Sequence, residues 1–346
     1  MLDERSKQIL YAVTQSYINK PDPVGSRYVT KKFDFSLSSA TIRNIMADLE
    51  ELGFLSQPHT SAGRIPTDMA YRFYVDMLMN QSSFDFDTHI ADEIKRRLDR
   101  IKNDINGFFK EVSATLSNLS SYMSIAQPPK ALNSTFKKIE LIKYKEGSIA
   151  AVLLTKENII KSKILQIDPF LTQKDLNRIA DFLNSEYEGF TIDEIRSVLL
   201  QRLKSEKAAW YQLLTKAMAI YEQILFFAEN EIFIEGLYDV INLPDFADIS
   251  KMKEIYRAIK DKDLLLKIIE DLRESEGVQV IIGCENPIQE LNKFSIVASS
   301  YKSCGKKMGV IAIIGPTRMD YLKAISMVDL VSRCVCEILQ NVDSEY

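Results

Sequence analysis

Apolar residues recur every three or four positions along most of the first 120 residues, the period of an amphipathic helix. Ile9, Leu10, Val13 and Tyr17 share one face and predict a helix from about Asp3 to Asn19. Lys20-Pro21-Asp22-Pro23 ends it, because proline removes a donor and restricts the residue before it. A short helix over Ser26–Phe33 follows, with Val29 and Phe33 inward. The third helix is the best marked. Ser38 is a ready N-cap, Ile42, Ile45, Met46, Leu49 and Leu52 form one stripe, and Gly53 stands at the C′ position. A strand at Phe54-Leu55-Ser56, a polar turn over His59–Arg64, Ile65-Pro66 and a fourth helix from Thr67 to Met79 complete a winged helix-turn-helix order.

From Phe84 to Ser121 the helical period returns, through Ile94, Leu98, Ile101, Ile105, Phe108, Phe109 and Val112. Gln127-Pro128-Pro129-Lys130 is a linker. Strands over Ile139–Tyr144, Ala150–Leu154 and Ile159–Ile167 predict an antiparallel meander, closed by a helix over Gln173–Asn184. Thr191–Ala228 lacks Gly and Pro and opens with a Thr191-x-x-Glu194 capping box, predicting two helices or one long bent one. Helices at Asp248–Lys260 and Asp263–Ser275, strands at Val278–Ile282, Ser295–Ser299 and Met308–Ile314, and a helix over Met319–Gln340 follow. The order is that of an α+β protein whose second domain carries a mainly helical insert.

Length and composition narrow the class. At about 100–200 residues per domain, 346 residues make two or three domains. Apolar residues at 46% and charged residues at 27% supply buried cores and exclude a mostly disordered chain. No apolar run approaches the roughly 20 residues of a membrane span. Met1–Lys7 lacks the apolar segment of a secretory signal, so a cytoplasmic location without membrane partners is expected. Four cysteines (Cys284, Cys304, Cys334, Cys336) and two distant histidines (His59, His89) fit neither a disulfide framework nor a metal site. Cys334 and Cys336 are read as small buried hydrophobes.

Catalytic signatures are absent: there is no Gly-x-Ser-x-Gly elbow and no phosphate-loop or dinucleotide glycine motif. Gly305-Lys306-Lys307-Met308-Gly309 leads into a strand and is read as a hairpin turn. Neither an enzyme nor a cofactor is expected.

The third helix carries the functional chemistry. Opposite its apolar stripe it presents Ala40, Arg43, Asn44 and Ala47. Small residues let a backbone approach a duplex, while Arg and Asn make bidentate contacts to guanine and adenine in the major groove. Ser38, Ser39 and Thr41 stand ready to donate to phosphates beside the free amides of the first turn. Lys31 and Lys32 reach toward the nucleic-acid backbone. In the turn, His59, Thr60 and Ser61 supply donors, Gly63 flexibility, and Arg64 a tip for a minor groove or phosphate. Asp48, Glu50 and Glu51 oppose the helix dipole without an evident reason. Residues 1–80 carry nine basic and nine acidic side chains, so only the distribution of charge favours DNA. The same pattern suits a solvated surface helix, or a winged helix that binds only protein.

Three blocks bear a specific resemblance. Pro23-Val24-Gly25-Ser26, Ser38-Ser39-Ala40-Thr41-Ile42-Arg43-Asn44 and Pro58–Thr67, continued by Tyr71-Arg72-Phe73-Tyr74-Val75-Asp76, resemble HrcA, the bacterial heat-inducible transcription repressor family. Ala70 stands where glycine is more usual. Ile282-Gly283-Cys284-Glu285-Asn286 and Gly315–Tyr321 are similar to blocks of the same family. The resemblance implies a winged-helix domain (1–80), a GAF-like domain in two parts (84–185 and 275–346) and an inserted dimerising domain (186–274). It further implies a homodimer that binds the CIRCE inverted repeat upstream of chaperone operons, kept active by the chaperonin GroEL until heat diverts it. A ligand-responsive winged-helix regulator, sensing a small molecule through its GAF-like domain, is the alternative.

Overall fold

The computed structural model describes residues 2–59, 62–80, 88–102, 104–129, 135–156, 160–191, 194–195, 197–199, 218, 220, 232–241, 243, 262–273, 275–303 and 306–344. The helix expected over Thr191–Ala228 falls mostly outside them, and the one over Asp248–Lys260 wholly so. At the start of the former, Thr191 N–H donates to Glu194 Oε2 at 2.8 Å and Glu194 N–H to Thr191 Oγ1 at 3.3 Å, forming the expected box.

Helix α1 (Glu4–Asn19) starts where Asp3 accepts from the Ser6 amide. It packs with α2 (Ser26–Lys32) and α3 (Ser39–Glu51) around Ile9, Leu10, Val13, Val29, Ile42, Met46 and Leu49. Strands β1 (Leu55–Ser56) and β2 (Ile65–Pro66) pair antiparallel as the wing, and α4 (Asp68–Met79) follows. This is the expected winged helix-turn-helix. One stripe residue departs from expectation: Leu52 is 56% exposed. It caps α3 and does not belong to its last turn. Gly53 takes φ +81°, and the Gly53 and Phe54 amides turn back to the Glu50 and Leu49 carbonyls, carrying Leu52 off the stripe.

Helix α4 serves two cores. Ala70 packs inside the winged helix, while Tyr71, Tyr74, Val75 and Leu78 join the core of a five-stranded antiparallel sheet. The second core also holds α5 (Thr88–Asp99) and α6 (Ile105–Ser120). The helical stretch is thus broken between Asp99 and Ile105, and α6 ends on Ser121 in the left-handed region.

The sheet order is β7-β3-β10-β9-β8, from β3 (Met123–Ala126), β7 (Phe233–Glu235), β8 (Val278–Ile282), β9 (Phe294–Ser303) and β10 (Lys306–Pro316). Pattern reading found the last three only. β3 is four residues long and buried on both faces, so it shows no alternation. One face meets α6 and α10 (Tyr321–Ser344) through Val297, Tyr301, Ile311 and Ile313. The alternate residues Val310, Ala312 and Ile314 are buried too, and α9 (Lys262–Arg273) packs on β9 and β10. A short helix, α8 (Leu237–Ile241), follows β7. The hairpin reading at Gly305 agrees with the Ser303–Lys306 pairing, although residues 304 and 305 lie outside the described set.

The chain divides into two compact units, Met1–Ala126 with Phe233–Asn341, and Gln127–Ile232 with Val342–Tyr346. These units divide the chain at positions different from the expected 84–185 and 186–274. The meander β4 (Phe136–Lys145), β5 (Ser148–Thr155), β6 (Ile160–Gln166) is a separate sheet in the second unit, not part of the GAF-like one. The chain leaves the first sheet at the Gln127-Pro128-Pro129 linker, since proline cannot continue a ladder. Residues 262–273 return to the first unit because α9 has β9 and β10 to pack on.

Within the second unit, α7 (Gln173–Tyr187), opened by a Thr172–Asp175 capping box, covers one face of the meander. Asn184 locks them together, accepting from the Ile139 amide at 2.7 Å and donating to its carbonyl at 3.0 Å. On the other face Ile142, Tyr144, Ile160 and Ile164 are each more than half exposed.

Candidate nucleic-acid interface

The N-terminus of α3 is built by hydroxyls. Ser38 Oγ accepts from the Thr41 amide at 3.1 Å and shares a 2.9 Å hydrogen bond with Thr41 Oγ1. Ser39 Oγ shares one of 3.0 Å with Ser26 Oγ, tying the starts of α2 and α3 together. Both serines are thus engaged in shaping the turn, with Ser38 and Thr41 still exposed. Winding from this cap, α3 leaves Ala40, Arg43 and Asn44 exposed and Ala47 half-buried, while Ile42, Met46 and Leu49 face the core. The polar face and the apolar stripe are separated as the period demands.

Lys31 and Lys32 are exposed at the end of α2, the Lys32 ammonium lying 5.4 Å from the Tyr28 ring centroid and 5.5 Å from that of Phe33. Arg27, which pattern reading passed over, is exposed on the same helix and lines an open groove of about 430 Å³ with Arg43, Gln57, Ala62 and Arg64. Three guanidinium-bearing residues from α2, α3 and the wing thus border one concavity. A lone Arg one position into a short helix carries no signal by itself; only the packing of α2 on α3 brings it to Arg43.

The wing differs from expectation at two residues. Gly63 serves close approach, not flexibility. A Cβ there would sit 2.5 Å from the Val24 carbonyl carbon and oxygen. The neighbouring Arg64 pairs with Val24 through two backbone hydrogen bonds of 2.8 and 2.9 Å. Arg64 is not a free tip: its side chain is 18% exposed and its guanidinium lies 2.7 Å from Glu50 on α3. Gln57 Nε2 closes the turn on the Ala62 carbonyl at 2.9 Å, and His59 is exposed beside it. Thr60 and Ser61 lie outside the described residues.

Chemistry of other kinds is sparse. Among the described residues no group of three or more His, Cys, Asp or Glu side chains could hold a metal, and no helix is long and apolar enough to cross a membrane. Cys334 is buried, Cys336 half-buried and Cys284 exposed.

Comparisons with known proteins agree along the chain. Residues 106–325 match the family model of the HrcA protein C-terminal domain. The heat-inducible transcription repressor HrcA of Thermodesulfovibrio yellowstonii is 45% identical over 344 residues, covering 99% of both chains. That of Geobacter sulfurreducens is 36% identical over 340 residues, 98% of this chain and 99% of the other. A crystal structure described as that of a hypothetical protein shares the fold, with TM-score 0.66 and 24% identity over 99% of this chain and 100% of its own. With a winged helix before a GAF-like sheet, and identity of this level over nearly every residue, the chain belongs to the HrcA family of heat-inducible transcription repressors.

Proposed function

We propose that the chain acts in the cytoplasm as a homodimer that binds the CIRCE inverted repeat upstream of chaperone operons and blocks their transcription. Two copies of α3 enter successive major grooves, with Arg43 and Asn44 at base edges and Ala40 and Ala47 allowing close approach. The observation that carries this reading is the composition of the exposed face of α3. It holds two side chains able to make bidentate contacts, Arg43 and Asn44, and the methyl-sized Ala40, with half-buried Ala47 at its margin, beside a capped, amide-bearing N-terminus. Ser38, Ser39, Thr41, Lys31, Lys32, Arg27 and the wing residues other than the Glu50-paired Arg64 contact phosphates, which fix register without reading sequence.

An inverted repeat requires two-fold symmetry, so the remainder of the molecule must hold two reading heads at a set distance. The uncovered apolar face of the meander supports a second copy as partner, since monomers rarely leave such a patch open to water. Control by temperature follows if GroEL holds the repressor in its binding form and unfolded clients compete for the chaperonin.

A gel-shift titration on an inverted-repeat duplex, against a scrambled duplex of equal length, tests the reading. Selective retardation that weakens steeply with added salt is expected, because phosphate contacts release counterions. Equal affinity for both duplexes would overturn sequence-specific repression. Repeating the titration with purified GroEL, and separately with a metabolite panel, distinguishes chaperonin control from a small-molecule signal.

A further inference from the structure

Two sequence blocks without a role in DNA contact meet in the fold. Arg72, one turn into α4, forks onto Glu285 beyond the end of β8: Nε donates to Oε1 at 2.8 Å and Nη2 to Oε2. Nη2 also donates to the Val280 carbonyl at 2.6 Å. One turn earlier, Asp68 Oδ2 accepts from the Cys284 amide at 2.9 Å. Gly283 makes this approach possible. It takes φ +49°, and a Cβ there would lie 2.2 to 2.7 Å from the Asp68 carboxylate atoms.

Hydrogen bonds brace both sides of the joint. Glu285 is oriented by the Ile282 amide at 2.8 Å. The buried Asn286 amide donates to the carbonyls of Gly283, Leu291 and Phe294, holding the loop after β8 in one shape. On the DNA-reading side, Thr67 Oγ1 donates to the carbonyls of Gly53 and Phe54 at 2.8 and 2.9 Å. The start of α4 is thereby pinned to the turn that ends α3. A continuous run of hydrogen bonds leads from α3 through Thr67, Asp68 and Arg72 to the edge of the GAF-like sheet.

We infer that Asp68, Arg72, Gly283 and Glu285 are positioning residues: they form a joint that sets the orientation of α3 relative to the GAF-like sheet and so the operator spacing the protein accepts. None of them needs to touch DNA. A two-point joint resists both tilt and rotation, where a single ion pair would resist neither. This inference rests on the inverted-repeat reading above, because spacing matters only when two heads bind one duplex.

The test uses the full chain carrying Glu285→Gln, which removes the charge at nearly constant shape, and Gly283→Ala, which wedges the other half of the joint. Each is titrated against an inverted repeat of native spacing, the same repeat with the spacer altered by two base pairs, and a single half-site. Amide exchange over 68–78 and 282–286 is followed without DNA. Wild type is expected to prefer native spacing. Both variants are expected to bind the native repeat about tenfold more weakly, to lose spacing preference, to keep half-site affinity, and to exchange about tenfold faster at the joint. Variants that retain wild-type affinity and spacing preference, or that lose half-site affinity equally, would overturn the inference. If wild type fails to distinguish the repeat from a scrambled duplex, the operator reading fails. The exchange measurement then still decides whether the joint is rigid, and unchanged exchange overturns it.

Discussion

The guanidinium of Arg64, immediately before the second wing strand, lies 2.7 Å from the carboxylate of Glu50 in the last turn of α3. This contact explains an acid placed where the helix dipole disfavours it. Glu50 clips the wing to the helix, and it also neutralises a charge that would otherwise hang beside the groove. Arg43, in contrast, has an exposed side chain on the face turned from the core.

The two arginines should therefore behave differently. Arg64→Ala and Glu50→Ala are each expected to lower winged-helix stability by about 1 kcal/mol, with the double variant costing less than the sum. Arg43→Ala should leave the unfolding midpoint unchanged and weaken operator binding by roughly 1–3 kcal/mol. Thermal unfolding and operator titration of the four variants check this. Full operator affinity in Arg43→Ala would remove that residue from base recognition.

Gly63→Ala places a methyl 2.5 Å from Val24 backbone atoms, which cannot yield as a flexible side chain would. A destabilisation of about 1–3 kcal/mol is expected, as for other overpacked sites. Gly25→Ala is the control: nothing lies within 4 Å of a Cβ there, so its effect should be small. Denaturant unfolding of both proteins gives the comparison, and equal stabilities would show that the wing root relaxes freely.

Acid should loosen the joint between α4 and the sheet. Burial acts to raise the pKa of Glu285, but the Arg72 and Ile282 hydrogen bonds and the Arg72 charge outweigh it and hold the carboxyl below its usual value. A depressed carboxylate pKa contributes stability that is present above the unfolded value, about 4.3, and disappears as pH falls through the folded value. The protection factor of the 68–78 amides, the intrinsic exchange rate divided by the observed one, should thus fall below about pH 4 in wild type. In Glu285→Gln that protection should be low already at neutral pH and lack the acid step. An identical pH profile in both proteins would assign the effect to other groups.

The exposed face of the meander offers a direct probe of assembly. Ile164→Asp and Ile142→Asp place a charge on the bare side of the sheet, where neither residue supports the α7 core. Each is expected to weaken dimerisation at least about tenfold while preserving secondary structure, as a buried unpaired charge does. Sedimentation at a range of concentrations measures it. A dimer as tight as wild type would place the interface elsewhere.

The cysteine at the joint illustrates how local signals end. Cys284 is exposed, yet the Asp68 carboxylate, through a hydrogen bond and its charge, pushes the thiol pKa up. Sequence places these two residues 216 positions apart, and nothing local relates them. The Arg72–Glu285 pair, 213 positions apart, is the same case.

The sequence by itself determined what depends on neighbours within a turn or two. These features are the Ser38 cap, the split faces of α3, the Gly53 stop, the meander with its α7 cover, and the resemblance blocks that name the family. Each rests on short-range physics: a side chain bonding an amide three residues on, apolar positions at helical or strand period, a glycine where φ is positive. Tertiary structure alone decided which strands share a sheet, because a ladder partner is not written in a strand's own period. It put four-residue β3 between β10 and β7, assigned the meander to a second unit, paired Arg64 with Glu50, and brought Arg27 beside Arg43. Those outcomes depend on long-range return of the chain, where burial and hydrogen bonding across a closed loop must outweigh the entropy lost in closing it, and no local pattern records which return wins.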